Sequence, residues 1–134
     1  MTNESTDSEL TGDILGSAIK IHSAFGPGLS VDVYTRLLET ELSARGHDVE
    51  TSKSVAIEFE GETIKNAFRL ELFVDGRMPV AVKSADSTPV SMTHCMKTYL
   101  KAMHLPLGLV INFGMPRLMD GYRRVLNNIP DTDA

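Results

Sequence analysis

Two periods of hydrophobic residues divide this chain. Leu10, Ile14, Ala18, Ile21 and Phe25 recur near the helical period, and Gly26-Pro27-Gly28 cannot continue a helix. Ser30 is placed to cap a second helix, with Val33, Leu37, Leu38 and Leu42 on its buried side and Gly46 in the left-handed position after it. The pattern then alternates. Val55, Ile57 and Phe59 lead into a turn at Glu60-Gly61-Glu62, followed by Ile64, Phe68, Leu70, Leu72 and Val74. After a second turn at Asp75-Gly76, Met78, Val80 and Val82 complete an antiparallel meander of three strands. Thr88 and Pro89 read as cap and first-turn proline of a third helix, whose apolar face is Met92, Met96, Tyr99, Leu100 and Met103. The nearly continuous apolar run from Leu107 to Phe113 predicts a strand covered on both faces. A short closing helix is expected over 120–128. The predicted order is α-α-β-β-β-α-β-α.

This order implies one α/β domain over residues 8–130, with a mixed sheet of about four strands flanked by helices. Residues 1–7 and 131–134 have no periodic apolar content and read as disordered tails. A chain of 134 residues with 42% hydrophobic and 23% charged content suits one globular domain. No apolar run approaches the ~18 residues of a membrane span, and the polar, acidic start MTNESTDSE lacks the marks of a signal peptide. Both features lead us to expect a cytoplasmic protein with no membrane partner. Cys95 is the single cysteine, which excludes an internal disulfide. The net charge of −5 disfavours nucleic acid, whose non-specific binding depends on lysine and arginine neutralising phosphates.

Several separate stretches then carry a resemblance. They are Ile14 to His22, Phe25-Gly26-Pro27-Gly28-Leu29 followed by Tyr34, Phe68-Arg69, Val80 to Lys83, Thr98 to Ala102, and Gly108 to Gly114. In this order they resemble the small bacterial family of GxxExxxR proteins, within the PD-(D/E)XK nuclease superfamily. The likeness runs from about Leu10 to Leu126. It implies a restriction-endonuclease-like core in which a strand aspartate, a Glu-x-Lys on the next strand and a helical glutamate serve Mg²⁺-dependent phosphodiester hydrolysis. Mg²⁺ asks for hard oxygen ligands, and period-two geometry puts the glutamate and lysine of Glu-x-Lys on one face.

Carried onto this chain, the resemblance places the helical glutamate at Val31 and the strand aspartate at Glu71. It places the glutamate of Glu-x-Lys at Ala81, its lysine at Lys83, and a helical glutamine at Cys95. Glu71 and Lys83 are then the catalytic remnants. They sum to zero charge and are expected to pair with each other, leaving no metal ligand set and no cofactor. The reading that follows is a catalytically inactive nuclease-like module that binds or scaffolds, as a homo-oligomer or with a protein partner.

Two alternatives stay open. One is nucleic-acid binding without cleavage through Lys83, Lys97, Lys101, Arg69, Arg117, Arg123 and Arg124. The other is a weak Mg²⁺ nuclease in which Asp32, Glu58 or Asp86 replaces a lost ligand. Asp32 and Arg36 keep a Glu-xxx-Arg spacing but sit one position late, a rotation of ~100° on a helix, so an exposed ion pair is expected there. Cys95 beside His94 is expected in a core or interface rather than as a nucleophile, because helical neighbours point apart. His22 reads as a packing or hydrogen-bonding residue. The methionines after Met1 read mostly as core fillers, and their softness would also suit an adaptable interface.

Overall fold

A computed structural model describes residues 6–127. Helices α1 (Asp7–Phe25) and α2 (Val31–Ala44) precede strands β1 (Val49–Phe59), β2 (Glu62–Val74) and β3 (Met78–Lys83). Helix α3 (Val90–Met103) crosses over to β4 (Leu107–Asn112), and a 3₁₀ turn at Leu118–Gly121 leads into β5 (Tyr122–Leu126). The five strands form one sheet in chain order. β3 and β4 run parallel, which requires the α3 crossover; the other neighbours are antiparallel. No helix among the described residues is long and apolar enough to cross a membrane.

The sheet carries a core on each face. On one side Leu10, Ile14, Ala18, Tyr34, Leu38 and Leu42 of α1 and α2 meet Leu72, Val80, Val82, Leu109 and Ile111. On the other, Met96 and Leu100 of α3 cover Ala81, Val110 and Val125. β4 is buried at every position, as its unbroken apolar run predicts.

Four expectations change. The closing helix over 120–128 is instead β5, paired with β4 from Leu107↔Leu126 to Ile111↔Tyr122; residue 128 lies outside the described residues. The physical reason is β4 itself: a buried strand cannot leave one row of backbone groups unpaired. Among the described residues the sheet therefore has five strands, one more than the roughly four expected. The buried stripe of α2 is Tyr34, Thr35, Leu38 and Leu42, while Val33 is 42% exposed. Thr88 does not cap α3, because its hydroxyl accepts from Asn112 Nδ2 at 2.9 Å. Finally, α1 begins earlier than the apolar period shows. Thr6 and Glu9 form a reciprocal capping box, so Thr6 and Asp7 belong to the helix start. The remaining tail positions, residues 1–5 and 131–134, lie outside the described residues.

The β1–β2 hairpin outgrows the sheet. β3 pairs β2 only from Leu72 to Val74, while β1 and β2 stay paired out to Phe59↔Glu62. Phe59 and Ile64 on this arm are 68% and 50% exposed.

Two glycines mark close approaches of different kinds. A Cβ on Gly108 would stand 2.7 Å from the Met96 sulfur, whereas one on Gly114 would stand 2.2 Å from the Ala85 carbonyl oxygen. A methionine side chain can move and a backbone carbonyl cannot. Gly108→Ala should therefore cost about 1 kcal/mol and Gly114→Ala at least about 3 kcal/mol, measured by urea unfolding.

Candidate functional site

The stretch Gly108 to Gly114 contains one buried amide that organises its surroundings. Asn112 ends β4 with no exposed surface. Its Oδ1 accepts from Ala85 N at 2.9 Å and Gly114 N at 3.0 Å, and its Nδ2 donates to Ser87 O and Thr88 Oγ1, each at 2.9 Å. One side chain thus fixes the whole connection from β3 to α3. Ser84 Oγ donates to Leu29 O at 2.7 Å, joining this connection to the glycine-proline turn. Tyr34 holds that turn from inside: its hydroxyl donates to Gly26 O and accepts from Leu29 N at 3.2 Å. Its ring lies on Phe113 with centroids 4.2 Å apart. His22 donates Nε2–H to Met115 O at 2.9 Å, a hydrogen-bonding role as expected from the sequence.

Lys83 stands at the end of β3 opposite Asn112. Ala81, two residues earlier, lies in the cluster under α3, so period-two geometry puts Lys83 on the α3 face as well. Glu71 sits where two ladders lapse. The β1–β2 register passes from Lys53↔Leu70 to Thr51↔Leu72 without it, and the β2–β3 register ends at Leu72↔Val80. Across that gap Glu71 Oε1 accepts from Val82 N at 3.0 Å. The carboxylate thus does the work of a missing backbone carbonyl. The expected Glu71–Lys83 ion pair is not formed among the described residues.

On α3, Tyr99 stacks on Phe68 with centroids 4.0 Å apart. Its phenol is pushed up to about 12, first by a hydrogen bond with Cys95, then by burial and the nearby negative charge of Glu71. The side chains grouped here are thus Glu71, Tyr99 and Cys95. Cys95 is exposed, so of the core and interface positions expected for it the core one is excluded.

The acidic substitutes do not gather here. Asp32 lies with Thr35, Arg36, Glu39, Thr51 and Ser52 around a surface cleft of about 510 Å³ that neither Glu71 nor Lys83 lines. Asp32 and Arg36 form no ion pair among the described residues, contrary to expectation. Glu58 is exposed on the hairpin arm, beside a cleft shared with Lys101 and His104. Asp86 is exposed in the loop after Lys83. Among the described residues, no three His, Cys, Asp or Glu side chains come together as a metal-holding group.

The basic residues of the nucleic-acid alternative do not form one surface. Lys97 and Lys101 are exposed on one face of α3. Arg123 pairs with Val110 and Arg124 with Leu109, so their side chains leave opposite faces of the sheet. Arg123 Nη1 donates to Asp120 O and Tyr122 O, both at 3.0 Å. Arg117 pairs with Asp120 at 3.6 Å, and Arg69 is exposed on β2 opposite Ser54.

The organising role of Asn112 was not anticipated, although a polar residue closing an apolar run is a visible signal. His47 was also missed. It is held between Asp13 and Asp75, and its partners 34 and 28 residues away leave no local pattern.

The structure is thus an α/β domain, a mixed sheet with helices on both faces and Lys83 at the end of a central strand. The chain belongs to the PD-(D/E)XK nuclease superfamily, whose family model matches residues 8–125. The crystal structure of SSO0001 is similar in fold, with a TM-score of 0.54 at 17% identity over 92% of this chain. This chain spans 61% of the length of that one. None of the curated proteins compared matches it.

The role of Glu71 at the splayed strands can be read directly. Glu71→Gln keeps an acceptor for Val82 N–H and should leave stability nearly unchanged. Glu71→Ala strands that N–H and should cost about 1–3 kcal/mol in denaturant unfolding.

Proposed function

We propose that this domain has given up metal-dependent cleavage and serves as a binding or scaffolding module. The observation that carries the reading is the Glu71 carboxylate, which holds Val82 N–H at the splayed strands. The other positions assigned by the GxxExxxR resemblance point the same way. Val31 packs against the main core, and Ala81 is 7% exposed within the cluster under α3. A Mg²⁺ ion needs oxygen ligands and a net negative environment. One carboxylate already holding a backbone N–H, on the same side of the sheet as a lysine ammonium, does not fit it.

The hairpin arm supports a protein partner. Phe59 and Ile64 are exposed there among Glu58, Glu60 and Glu62, a mixture suited to an apolar seat rimmed by basic groups and unsuited to phosphates. The occupant of that seat can be a second copy of the chain or another protein. The exposed pair Lys97 and Lys101 favours the second reading, nucleic-acid binding without cleavage. Its affinity would fall steeply with salt.

The purified chain with Mg²⁺ or Mn²⁺ is expected to leave plasmid and single-stranded DNA uncut. Cleavage that disappears in Lys83→Ala or Glu71→Ala would overturn the proposal. Putting carboxylates back with Val31→Glu and Ala81→Glu should raise Mn²⁺ affinity in titration calorimetry, and no gain would count against the positional assignment.

A further inference from the structure

At the far end of α1 from the glycine-proline turn, three elements converge on one imidazole. His47, between α2 and β1, has a side chain only 6% exposed. Its Nε2 lies 2.8 Å from Asp13 Oδ2 on α1, and its Nδ1 lies 2.7 Å from Asp75 Oδ2 in the β2–β3 turn. The surroundings are charged on every side. Arg45, at the end of α2, donates Nη1–H to Asp13 O at 3.2 Å and stands 3.8 Å from the Asp13 carboxylate. Glu41 holds Arg45 at 3.1 Å and Lys20 of α1 at 3.1 Å. Asp75 Oδ1 accepts from Asp48 N at 2.9 Å, and Arg77, in the same turn, reaches Asp7 of α1 at 3.5 Å.

We infer that His47 is a proton-controlled fastener that holds the first half of α1 to the sheet. A carboxylate oxygen can only accept, so both contacts are hydrogen bonds only while both ring nitrogens carry hydrogen. A neutral imidazole has one N–H and must turn a lone pair toward one of the two acids. The two sides differ. The Asp75 side chain is 3% exposed and is also held by Asp48 N–H, whereas the Asp13 side chain is 46% exposed with Arg45 beside it. The buried acid cannot turn to water, and the exposed one can. The proton therefore leaves Nε2, Nδ1 keeps its hydrogen for Asp75, and the link to α1 opens.

Burial alone would lower the pKa of this imidazole, but the hydrogen bonds and charges of Asp13 and Asp75 outweigh it and the net shift is upward. A histidine raised on folding contributes its full stabilisation below the unfolded value of about 6.5 and loses it as pH rises through the folded value. The fastener is thus closed in mild acid and opens toward alkaline pH.

Ring ¹⁵N shifts of His47 and hydrogen-exchange protection factors across the chain, from about pH 6 to about pH 9, test this. Both ring nitrogens should carry hydrogen at the acid end and Nδ1 alone at the alkaline end. Protection over Leu10–Ser17 should fall by about tenfold as His47 titrates, while β3 and β4 keep theirs. Hydrogen remaining on Nε2, or protection in α1 that ignores His47, would overturn the proposal. Asp13→Asn supplies a group that can donate to or accept from Nε2, so the variant should fold and its α1 protection should lose the pH dependence. A dependence that survives in it would also overturn the proposal.

Discussion

A buried side-chain amide is tolerable only when every polar atom on it is matched, and each unmatched group costs about 1–3 kcal/mol. Asn112 meets that condition with four bonds to the segment 85–88 and to Gly114. Everything at this end of the domain follows from it. The bonds set how the chain leaves β3, where α3 starts, and how the chain turns after β4. The adjacent Phe113 carries the arrangement to Tyr34 by ring stacking, and Tyr34 fixes the turn between α1 and α2. Ser84 closes the circuit through Leu29. Lys83 is therefore held by a rigid frame, whatever it now touches.

Glu71 shows how a side chain can be kept by a fold for backbone reasons. Strands that part company leave an N–H without an acceptor, and a carboxylate reaching across the gap supplies one. Glu71 therefore has a structural role at the splayed strands through its contact with Val82 N–H.

Periodicity revealed most of the architecture. The helical spacing of Leu10 to Ile21 and the apolar run at β4 each describe a burial pattern that the structure keeps, whereas the alternating meander gives the strands but not their burial, since Phe59 and Ile64 are exposed and β3 is buried from Met78 through Val82. The misreadings came where local pattern competes with a neighbour's needs. Tyr122–Leu126 has no decisive period of its own and becomes a strand because β4 requires a partner. Thr88 has the form of a cap, yet its hydroxyl goes to an amide 24 residues away. In the candidate site, the assignment of Lys83 and Ala81 to one face of the sheet could be read from spacing. The contact between Glu71 and Val82 could not, because it depends on where two ladders stop.

The two edges of the sheet have a consequence for how the chain behaves in company. An exposed edge strand is a template for another strand, and proteins blunt such edges with bulges, charge and brevity. β1 is blunted by Ser52, which has φ 51° and falls out of the ladder, by Lys53, and by the register shift between Val55 and Ile57. β5 is only five residues long and carries Arg123 and Arg124 on alternate faces. Among the described residues neither edge offers a long flat run of free backbone groups, which disfavours end-to-end growth of the sheet into fibrous aggregates.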